Sequence, residues 1–408
     1  MMLALELFRS IPRYAAARTL GSRMPGLLVG PMAPVRLVTR DEPSVRHDGW
    51  ARVRPLLSGI CGSDLGVVTG STSLYFSALV SMPFVPGHEV VGELLDDATD
   101  HSGAPLPRGT RVVIDPVLAC AARGLAPCPS CASGRTNLCN HVTVGHVSPG
   151  LQTGFCRDTG GGWGEQLVAH SSQLHAVPDD LSDERAVLVE PIACAVQLAR
   201  RAQVPSGGSV LVSGAGAVGL FATLALRELT DAGRITVIAK HGRQADLARS
   251  FGATDVASPD EAMRAVRRAT RALRVAPAPL PGPAARIVGG AGEMLLGGVD
   301  VGVDAVGSTG SLDTVLRSTR AGGRVVLSGM PASADLSPAW FRELEVAGTY
   351  ASSGDAFEVA MGLARLAPLD GVVGGRYPLH RWREALDHAH SAGRLGTVKV
   401  CFDVRSRA

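Results

Sequence analysis

The sequence predicts an α/β protein in which a doubly wound parallel sheet follows a mostly antiparallel β domain. Short apolar runs separated by turn residues occupy the chain as far as residue 180. Strands then alternate with helices, and the glycine turn GAGAVG follows the first of these strands. At 408 residues the chain is too long for one ordinary core, so we expect two domains.

The first domain is predicted from apolar runs of strand length. Several of them contain Val or Ile and end near Gly, Pro or Asp, as strands of an antiparallel sheet do. The predicted strands lie in LLVGPMAPVRLV (27–38), WARVRPLLSGI (50–60), VPGHEVVGELL (85–95), TRVVIDPVLA (110–119) and GGWGEQLVAH with QLHAVP (161–178).

The second domain begins where the pattern acquires helical spacing. Ser182 is a good N-cap, and Pro191 is expected to kink or delay the helix that follows. Strand–helix alternation then implies a parallel sheet, interrupted by a Pro- and Ala-rich stretch at 274–286 that predicts a loop. The final strand, TVKVCF, leaves this pattern and is expected to return to the first domain. The predicted boundaries are 1–185, 186–342 and 343–408.

Composition excludes several classes of function. A net charge of +3 and 4% aromatic residues give no reason to expect nucleic-acid binding. No apolar run is long enough to cross a bilayer. The Arg- and Ala-rich residues 1–24 resemble a transit peptide only weakly, and an N-terminal strand followed by a basic surface segment is the preferred interpretation. We therefore expect a cytoplasmic protein.

Half of the eight cysteines lie within one short segment, which could be a disulfide framework, a redox pair or a metal site. Disulfide scaffolds are usually short chains, whereas clustered cysteines in a long chain favour structural zinc, whose four thiolates leave no open coordination position. The alternative is four reduced cysteines in a mobile loop. The predicted ligands are Cys120, Cys128, Cys131 and Cys139.

The turn GAGAVG predicts a dinucleotide site of the Rossmann type. Gly214 would make the tight turn, Gly216 would admit a pyrophosphate, and Gly219 would let helix and strand pack closely; Val218 is assigned to the same site. The alternative is a tight turn without a ligand.

The next strand ends in AKHGR, without the acid that usually binds the ribose 2′-hydroxyl. Lys240 and Arg243 would suit a 2′-phosphate, so we predict NADP in preference to NAD. The alternative is that these are solvated surface cations and that either cofactor is accepted.

A second candidate site combines GICGSDL (59–65) with PGHEVVGE (86–93). Cys61 and His88 are donors suited to zinc, and Asp64 could orient His88 by accepting its other N–H. Ser63 offers a hydroxyl two residues from the thiolate. Taken singly, Cys61 and His88 would more often be core residues, but their joint occurrence beside a dinucleotide turn favours a catalytic metal.

Six segments in this order resemble the zinc-dependent medium-chain dehydrogenase/reductase family, which includes alcohol, sorbitol, threonine and glucose dehydrogenases. The matching segments are GICGSDL, GHEVVGE, the four-cysteine lobe, EPIACAV, GAGAVG and GGRVVLSGMP (322–331). The resemblance covers about 27 to 404 and implies a GroES-like catalytic domain beside the Rossmann domain. It also implies a homodimer or homotetramer.

The resemblance further implies roles for single residues. Cys61 and His88 would bind a catalytic zinc, Glu190 would be its third protein ligand, and Glu89 would ligate the zinc or hold its water. Cys194, four residues further along the predicted helix, is a fallback ligand, with a core residue as the preferred interpretation. The lobe departs from the family in its first gap, AARGLAP, which makes Cys120 the least typical ligand. Gly66 stands where a relay histidine is frequent, so Ser63 would pass its proton through water or the cofactor ribose.

These parts predict hydride transfer between a small-molecule alcohol and NAD(P). Zinc would act as a Lewis acid on the alcohol, Ser63 would relay the proton, and the nicotinamide would accept the hydride. The rival predictions are a zinc-free, NADPH-dependent enone or quinone reductase on the same fold, and a non-catalytic protein. Residues 66–84 are predicted to line the pocket, and a loop core without a role in binding is an equally good interpretation. The sequence does not identify the substrate.

Overall fold

A computed structural model describes residues 1–20, 29–45, 47–276, 293–330 and 333–406. The chain divides into two compact units, one formed by Met1–Ala193 with Ala351–Ala408 and the other by Cys194–Tyr350. The first transition falls inside the helix Val189–Ala202. The domain boundaries expected at 185/186 and 342/343 stay predictions.

The strands of the first unit are β1 Met2–Leu7, β2 Val35–Arg40, β3 Trp50–Gly59, β4 Glu89–Leu94, β5 Ala98–Thr99, β6 Pro105–Leu106, β7 Arg111–Ile114, β8 Leu167–His170, β9 Leu174–Ala176, β18 Val373–Tyr377 and β19 Lys399–Asp403. The second unit contains β10 Ser209–Ser213, β11 Arg234–Ile238, β12 Asp255–Ala257, β13 Leu273–Val275, β14 Met294–Leu296, β15 Val299–Asp304, β16 Thr319–Leu327 and β17 Glu345–Gly348.

The α-helices are α1 Ile11–Leu20, α2 Gly62–Val68, α3 Pro129–Ala132, α4 Asp183–Ala186, α5 Val189–Ala202, α6 Ala217–Leu229, α7 Gly242–Ser250, α8 Ala262–Thr270, α9 Thr309–Ser318, α10 Ser337–Phe341, α11 Ala356–Leu366 and α12 Trp382–Ser391. No helix among the described residues combines the length and apolarity needed to cross a membrane.

The main sheet of the first unit has the order β18-β19-β3-β4-β7-β9, with β8 also paired to β3. Its pairs are antiparallel except β18 with β19. The C-terminal strand β19 lies beside β3, with Cys401 opposite Gly59. Trp163 and Phe402 meet edge to face in the core, with ring centroids 5.2 Å apart. Burying each such ring contributes roughly 1.5–3 kcal/mol.

The second unit confirms the predicted parallel sheet. Its strand order is β12-β11-β10-β15-β16-β17, and all of these pairs are parallel. Because β10 lies between β11 and β15, the chain changes direction across the sheet after β12. Ligands of doubly wound sheets bind at such a switch point, at the carboxyl ends of the strands.

Three local expectations need adjustment. The strand expected within 27–38 begins only at Val35, because Pro31 and Pro34 cannot donate ladder hydrogen bonds. The basic segment after β1 is the helix α1. Two helices replace the one expected after Ser182, since Pro191 is tolerated only in a first turn and α5 begins at Val189.

Ser182 does cap α4 as expected, accepting a hydrogen bond from the Arg185 amide at 3.4 Å. Of the loop expected at 274–286, the residues from 277 onward lie outside the described part of the chain, and Leu273–Val275 form β13.

Candidate functional site

Two adjacent strands of the first unit position the residues predicted to bind catalytic zinc. Cys61 follows β3 and is the N-cap of α2, and His88 directly precedes β4. Gly59 and Glu89 are opposite one another in the β3–β4 ladder. The end of one strand and the start of its neighbour therefore bring the two motifs together, although nothing in either motif encodes the pairing.

The ligand atoms of Cys61, His88 and Glu89 all lie within 4.8 Å of one another. His88 and Glu89 are buried, and Cys61 is half-buried. A thiol, an imidazole and a carboxylate form a donor set that zinc accepts, so the residues fit the predicted metal.

Asp64 connects the two candidate ligands. Its Oδ2 accepts a hydrogen bond from the Cys61 backbone N–H at 3.0 Å, and its Oδ1 lies 3.3 Å from His88 Nδ1. Neither Oδ1 nor Nδ1 makes a hydrogen bond of normal geometry, although both atoms are buried. A small rotation of the His88 ring would complete the carboxylate–histidine pair that orients metal-bound histidines.

Sequence reasoning did not identify Lys399, which is the nearest charged partner of this group. Lys399 Nζ donates to both carboxylate oxygens of Glu89, at 2.6 and 2.7 Å, and both side chains are at most 3% exposed. Burial alone would lower the pKa of Lys399, but the adjacent Glu89 carboxylate and Cys61 sulfur raise it above its usual value. The buried ammonium therefore stays charged.

A glycine makes this ion pair possible. Lys399 and Glu89 lie on the two strands that flank β3, and Gly59 of β3 is the residue opposite Glu89. A Cβ atom at Gly59 would lie 2.0 Å from Glu89 Oε2. Without a side chain at this position, the carboxylate can cross β3 and reach Lys399.

One signal could have identified Lys399 from the sequence. Among 40 basic residues the chain has only two lysines, Lys240 and Lys399, and Lys399 interrupts an apolar strand. A lysine in a buried strand requires a counter-charge, which sequence alone does not locate.

The structure does not bring Glu190 into the group formed by Cys61, His88 and Glu89. Glu190 is buried in the first turn of α5 and lies outside the set of ligand atoms that are mutually within 4.8 Å. Ser63 is half-buried in the first turn of α2. The roles predicted for Glu190 and Ser63 stay predictions.

The four cysteines of the lobe converge as the spacing predicts. The sulfurs of Cys120, Cys128, Cys131 and Cys139 lie within 4.8 Å of one another. All eight cysteines of the chain are free thiols. Despite the lengthened first gap, Cys120 belongs to the cluster.

Backbone amides point at these sulfurs, as they do around metal-bound thiolates. Cys120 Sγ accepts from the Cys128 amide at 3.3 Å, Cys128 Sγ from the Asn140 amide at 3.5 Å, and Cys139 Sγ from the His141 amide at 3.3 Å. The amide of Asn140 and that of Cys131 lower the pKa of Cys128 to about 6. A tetrahedral ion with four thiolate ligands fits this pocket.

The lengthened gap supplies a structural residue that sequence reasoning missed. Arg123 is fully buried, and its guanidinium donates to four backbone carbonyls, those of Leu118, Val144, Val147 and Gly150, at 2.9, 2.9, 3.1 and 2.6 Å. It therefore holds both ends of the lobe from inside, independently of any metal.

In the second unit the glycine turn has the predicted geometry. Gly214 has a φ of +103°, and its amide donates to the Ile238 carbonyl at 3.1 Å. Gly216 is the N-cap of α6, so Val218 and Gly219 lie in the first helical turn. A Cβ atom at Gly219 would lie 2.0 Å from the Gly214 carbonyl oxygen, whereas one at Gly216 would meet nothing within 4 Å. The open space at Gly216 lies where a pyrophosphate is expected.

Lys240 and Arg243 are exposed and follow β11 by a few residues. Because the Gly214 amide bonds to the last residue of β11, this cationic segment continues from the strand that contacts the glycine turn.

Known proteins resemble the chain over most of its length. The model for the alcohol dehydrogenase GroES-like domain matches residues 47–179, and that for the zinc-binding dehydrogenase domain matches residues 217–365. L-idonate 5-dehydrogenase from Vitis vinifera is 30% identical over 302 residues, covering 73% of this chain and 72% of the relative. Sorbitol dehydrogenase from Bacillus subtilis is 27% identical over 305 residues, 74% of each protein.

Among solved structures, a zinc-binding dehydrogenase from Sinorhizobium meliloti 1021 bound to NADP superposes with a TM-score of 0.69 at 24% identity, covering 99% of both chains. The fold of that protein matches the fold of each of the two units. The two domain matches and the idonate and sorbitol dehydrogenase relatives identify an NAD(P)-dependent alcohol oxidoreductase, and the Cys61–His88–Glu89 group fits that activity. The chain belongs to the zinc-dependent medium-chain dehydrogenase/reductase family.

Proposed function

We propose that this protein oxidises a secondary hydroxyl group of a small polyol or sugar acid to the ketone, with NADP as the preferred acceptor. The observation that carries the proposal is the convergence of half-buried Cys61 with buried His88 and Glu89 at the end of β3. The polyhydroxylated substrates in the names of the idonate and sorbitol dehydrogenases support the substrate class.

Cys61, His88 and Glu190 are proposed to hold the catalytic zinc. When bound, zinc supplies Lewis-acid chemistry that makes an alcohol more acidic, and the nicotinamide supplies the hydride acceptor. Asp64 orients the His88 ring. Ser63, in the first turn of α2, would accept the proton of the substrate hydroxyl and give up its own to water.

Glu89 is proposed to remain outside the coordination sphere during turnover. Both of its oxygens accept hydrogen bonds from Lys399, so moving onto the metal would leave a buried ammonium without its partner. That cost favours Glu190, the second residue of α5, as the third protein ligand.

A second zinc is proposed at the four cysteines of the lobe. The closely spaced sulfurs and the amide groups that point at them support this structural site. Four thiolates would leave it without an open position, so it would take no part in turnover.

The preference for NADP rests on the exposed cations that follow β11. Lys240 and Arg243 carry charge of the sign that a 2′-phosphate requires, and no acid ends β11 to accept a ribose 2′-hydroxyl.

A cytoplasmic location and assembly into a homodimer or homotetramer complete the proposal. Eight free thiols suit a reducing compartment. Assembly is supported by exposed apolar residues in the second unit near the edge strand β17, among them Trp340 at 83% and Phe341 at 66% exposure.

The test is zinc content per chain, measured together with activity on a panel of polyols and sugar acids with NADP and NAD. We expect two zinc ions in the wild type, and one in Cys61→Ser and in Glu190→Gln, both without activity. Glu89→Gln should retain two zinc ions per chain.

Three results would contradict parts of this proposal. Equal zinc content in the wild type and Cys61→Ser would place no metal at Cys61. Reduction of quinones or enones by a zinc-free preparation would favour the zinc-free reductase instead. Retention of two zinc ions in Glu190→Gln, with loss of one in Glu89→Gln, would make Glu89 the ligand.

A further inference from the structure

A third group of metal-binding side chains lies in the first unit, and neither proposed zinc site uses it. The ligand atoms of His101, His175 and Glu358 lie within 4.8 Å of one another. His175 is buried, whereas the side chains of His101 and Glu358 are 39% and 40% exposed. The group is therefore open to solvent on one side and anchored in the core on the other.

Three separate elements contribute one residue each. His101 lies in the turn after β5, His175 is in β9, and Glu358 is in the first turn of α11. The turn is held by Asp100, whose Oδ1 accepts from the Ser102 and Ala104 amides at 2.8 and 2.9 Å. These three elements therefore hold the side chains together without a bound ion.

A single oxygen faces both imidazoles. Glu358 Oε1 lies 2.9 Å from His101 Nε2 and 3.1 Å from His175 Nδ1. The other nitrogen of His101, Nδ1, lies 3.4 Å from the Leu174 carbonyl, which can only accept a hydrogen bond. If Nδ1 carries the proton of neutral His101, Nε2 presents a lone pair to a carboxylate. Such a contact needs a positive charge between the two atoms, either a second proton or a metal ion.

Ring stacking holds the two imidazoles close together. The His101 and His175 rings stack with centroids 4.3 Å apart, and His175 stacks on Phe357 at 4.7 Å. Zinc bonds of about 2.0–2.1 Å place tetrahedral ligand atoms roughly 3.3 Å apart. The observed separations from Glu358 would have to grow by only a few tenths of an ångström.

We propose that His101, His175 and Glu358 bind a third, exchangeable divalent ion of the zinc class, which ties α11 to β9. Two imidazole nitrogens and one carboxylate oxygen select zinc, cobalt or nickel over magnesium or calcium. Water takes the fourth position, because two of the ligands are open to solvent. The Leu174 carbonyl fixes the orientation of His101, as outer partners of metal-bound histidines do.

The ion stabilises the fold by binding only where the three elements meet. An unfolded chain does not hold residues 101, 175 and 358 together, so the midpoint of thermal unfolding rises with free metal concentration. This consequence is independent of turnover and of the proposed function.

The test is a titration of the purified holoprotein, with its zinc content counted beforehand, by Zn²⁺ and separately by Co²⁺ and Mg²⁺. Calorimetry and thermal unfolding are recorded for the wild type, His101→Ala, Glu358→Gln, and the matched control His380→Ala, an exposed histidine outside the group. Because His101 is partly exposed, its removal leaves the fold intact, which circular dichroism checks.

We expect one further equivalent of Zn²⁺ to bind the wild type and His380→Ala and to raise the unfolding midpoint. The affinity should fall at least about thirtyfold in His101→Ala and Glu358→Gln, in line with losses of 10–100-fold for partners of a metal site. Mg²⁺ should have no effect. Co²⁺ at this site should give tetrahedral visible bands without a thiolate-to-cobalt charge-transfer band.

Two results would overturn the proposal. One is equal binding by the wild type and His101→Ala, or no further equivalent in either. The other is an additional equivalent that carries a thiolate charge-transfer band and disappears in Cys61→Ser, which would mean that the added metal had filled an incomplete catalytic site.

Discussion

The buried pair of Glu89 and Lys399 is the main single-residue feature of the candidate catalytic site. Two fully buried charges are tolerated because both carboxylate oxygens are hydrogen-bonded to the ammonium. Lysine suits the position better than arginine, since a compact ammonium fits where a planar guanidinium would require more room. A fixed carboxylate next to the proposed metal would adjust its electrostatic environment without occupying a coordination position.

Replacing Lys399 by Met should destabilise the zinc-loaded protein by about 3–5 kcal/mol, because Glu89 is left buried without a counter-charge. The double variant Lys399→Met with Glu89→Gln should recover at least about half of that loss. Urea unfolding at a fixed zinc concentration measures the free energy of unfolding of the single and the double variant. Lys240→Met, a change at an exposed lysine, is the control. Equal destabilisation by Lys399→Met and Lys240→Met would show that the pair has no energetic role.

The cations after β11 should act on one cofactor only. Replacing Arg243 by Ala removes a charge proposed to face the 2′-phosphate, so KM for NADP should rise about tenfold, equivalent to about 1.4 kcal/mol. KM for NAD should stay unchanged. Steady-state kinetics with both cofactors measure this, with Arg249→Ala on the same helix as the control. A parallel rise of both KM values would argue against phosphate recognition.

At the scale of elements, the cysteine lobe depends on two separate supports. Sequence reasoning assigned the four cysteines of the lobe to structural zinc. The structure adds Arg123, whose guanidinium binds four carbonyls at the base of the lobe. Metal would then order the tip, whereas Arg123 orders the base.

Arg123→Met should therefore destabilise the protein by about 2–4 kcal/mol, since several buried carbonyls lose their donor. Arg135→Met, an exposed arginine of the same lobe, should change stability by less than about 0.5 kcal/mol. Chelation of zinc should expose the amides around Cys131 to hydrogen exchange while those next to Leu118 stay protected. Simultaneous loss of protection at both places would mean that the metal alone holds the lobe.

The glycine turn separates cofactor binding from folding within one element. Gly216→Ala should keep the wild-type stability, because the added methyl group meets no atom within 4 Å, yet weaken NADP binding about tenfold or more. Gly219→Ala should destabilise the protein by about 1–3 kcal/mol, because its Cβ meets the Gly214 carbonyl. Thermal unfolding measures the stability of both variants, and cofactor titration measures their affinity for NADP. Normal NADP affinity in Gly216→Ala would remove the turn from the pyrophosphate site.

At the scale of the whole molecule, each unit has its own chemistry. The first unit contains the candidate catalytic group, the cysteine lobe and the His101–His175–Glu358 group, and the second contains the glycine turn. The second unit also ends its parallel sheet on β17, which is paired on one side only among the described strands. An edge strand next to exposed apolar side chains favours association with another copy.

Replacing Trp340 and Phe341 together by Ser should therefore shift the protein from the proposed dimer or tetramer to the monomer. Both residues lie in α10 and are exposed, so their removal should not disturb a core. Light scattering after size exclusion measures the mass, with Leu366→Ser, 86% exposed in the first unit, as the control. A monomeric wild type would contradict this part of the proposal.

The motifs that sequence reasoning recognised are those whose chemistry lies within a few residues. GAGAVG predicted a turn because Gly214 requires a positive φ and Gly219 a close contact, and both are found. The cysteine spacing likewise predicted the cluster, including Cys120. Where a proline opposed the predicted element, the boundary of the element differs from the prediction. Val35 rather than an earlier residue begins β2, and two helices, α4 and α5, replace the single helix expected.

By itself, then, the sequence determined the parallel and antiparallel sheets, the family, and the candidate ligands Cys61, His88 and the four cysteines. Only the tertiary structure decided that Lys399, 310 residues from Glu89, is its partner, that Arg123 supports the lobe, and that Glu358 meets His101 and His175. The physical reason is the distance along the chain between the residues that determine each feature. Turns and metal spacings depend on neighbouring residues, whereas these pairings depend on β19 lying beside β3 and α11 packing near β9, which no local pattern encodes.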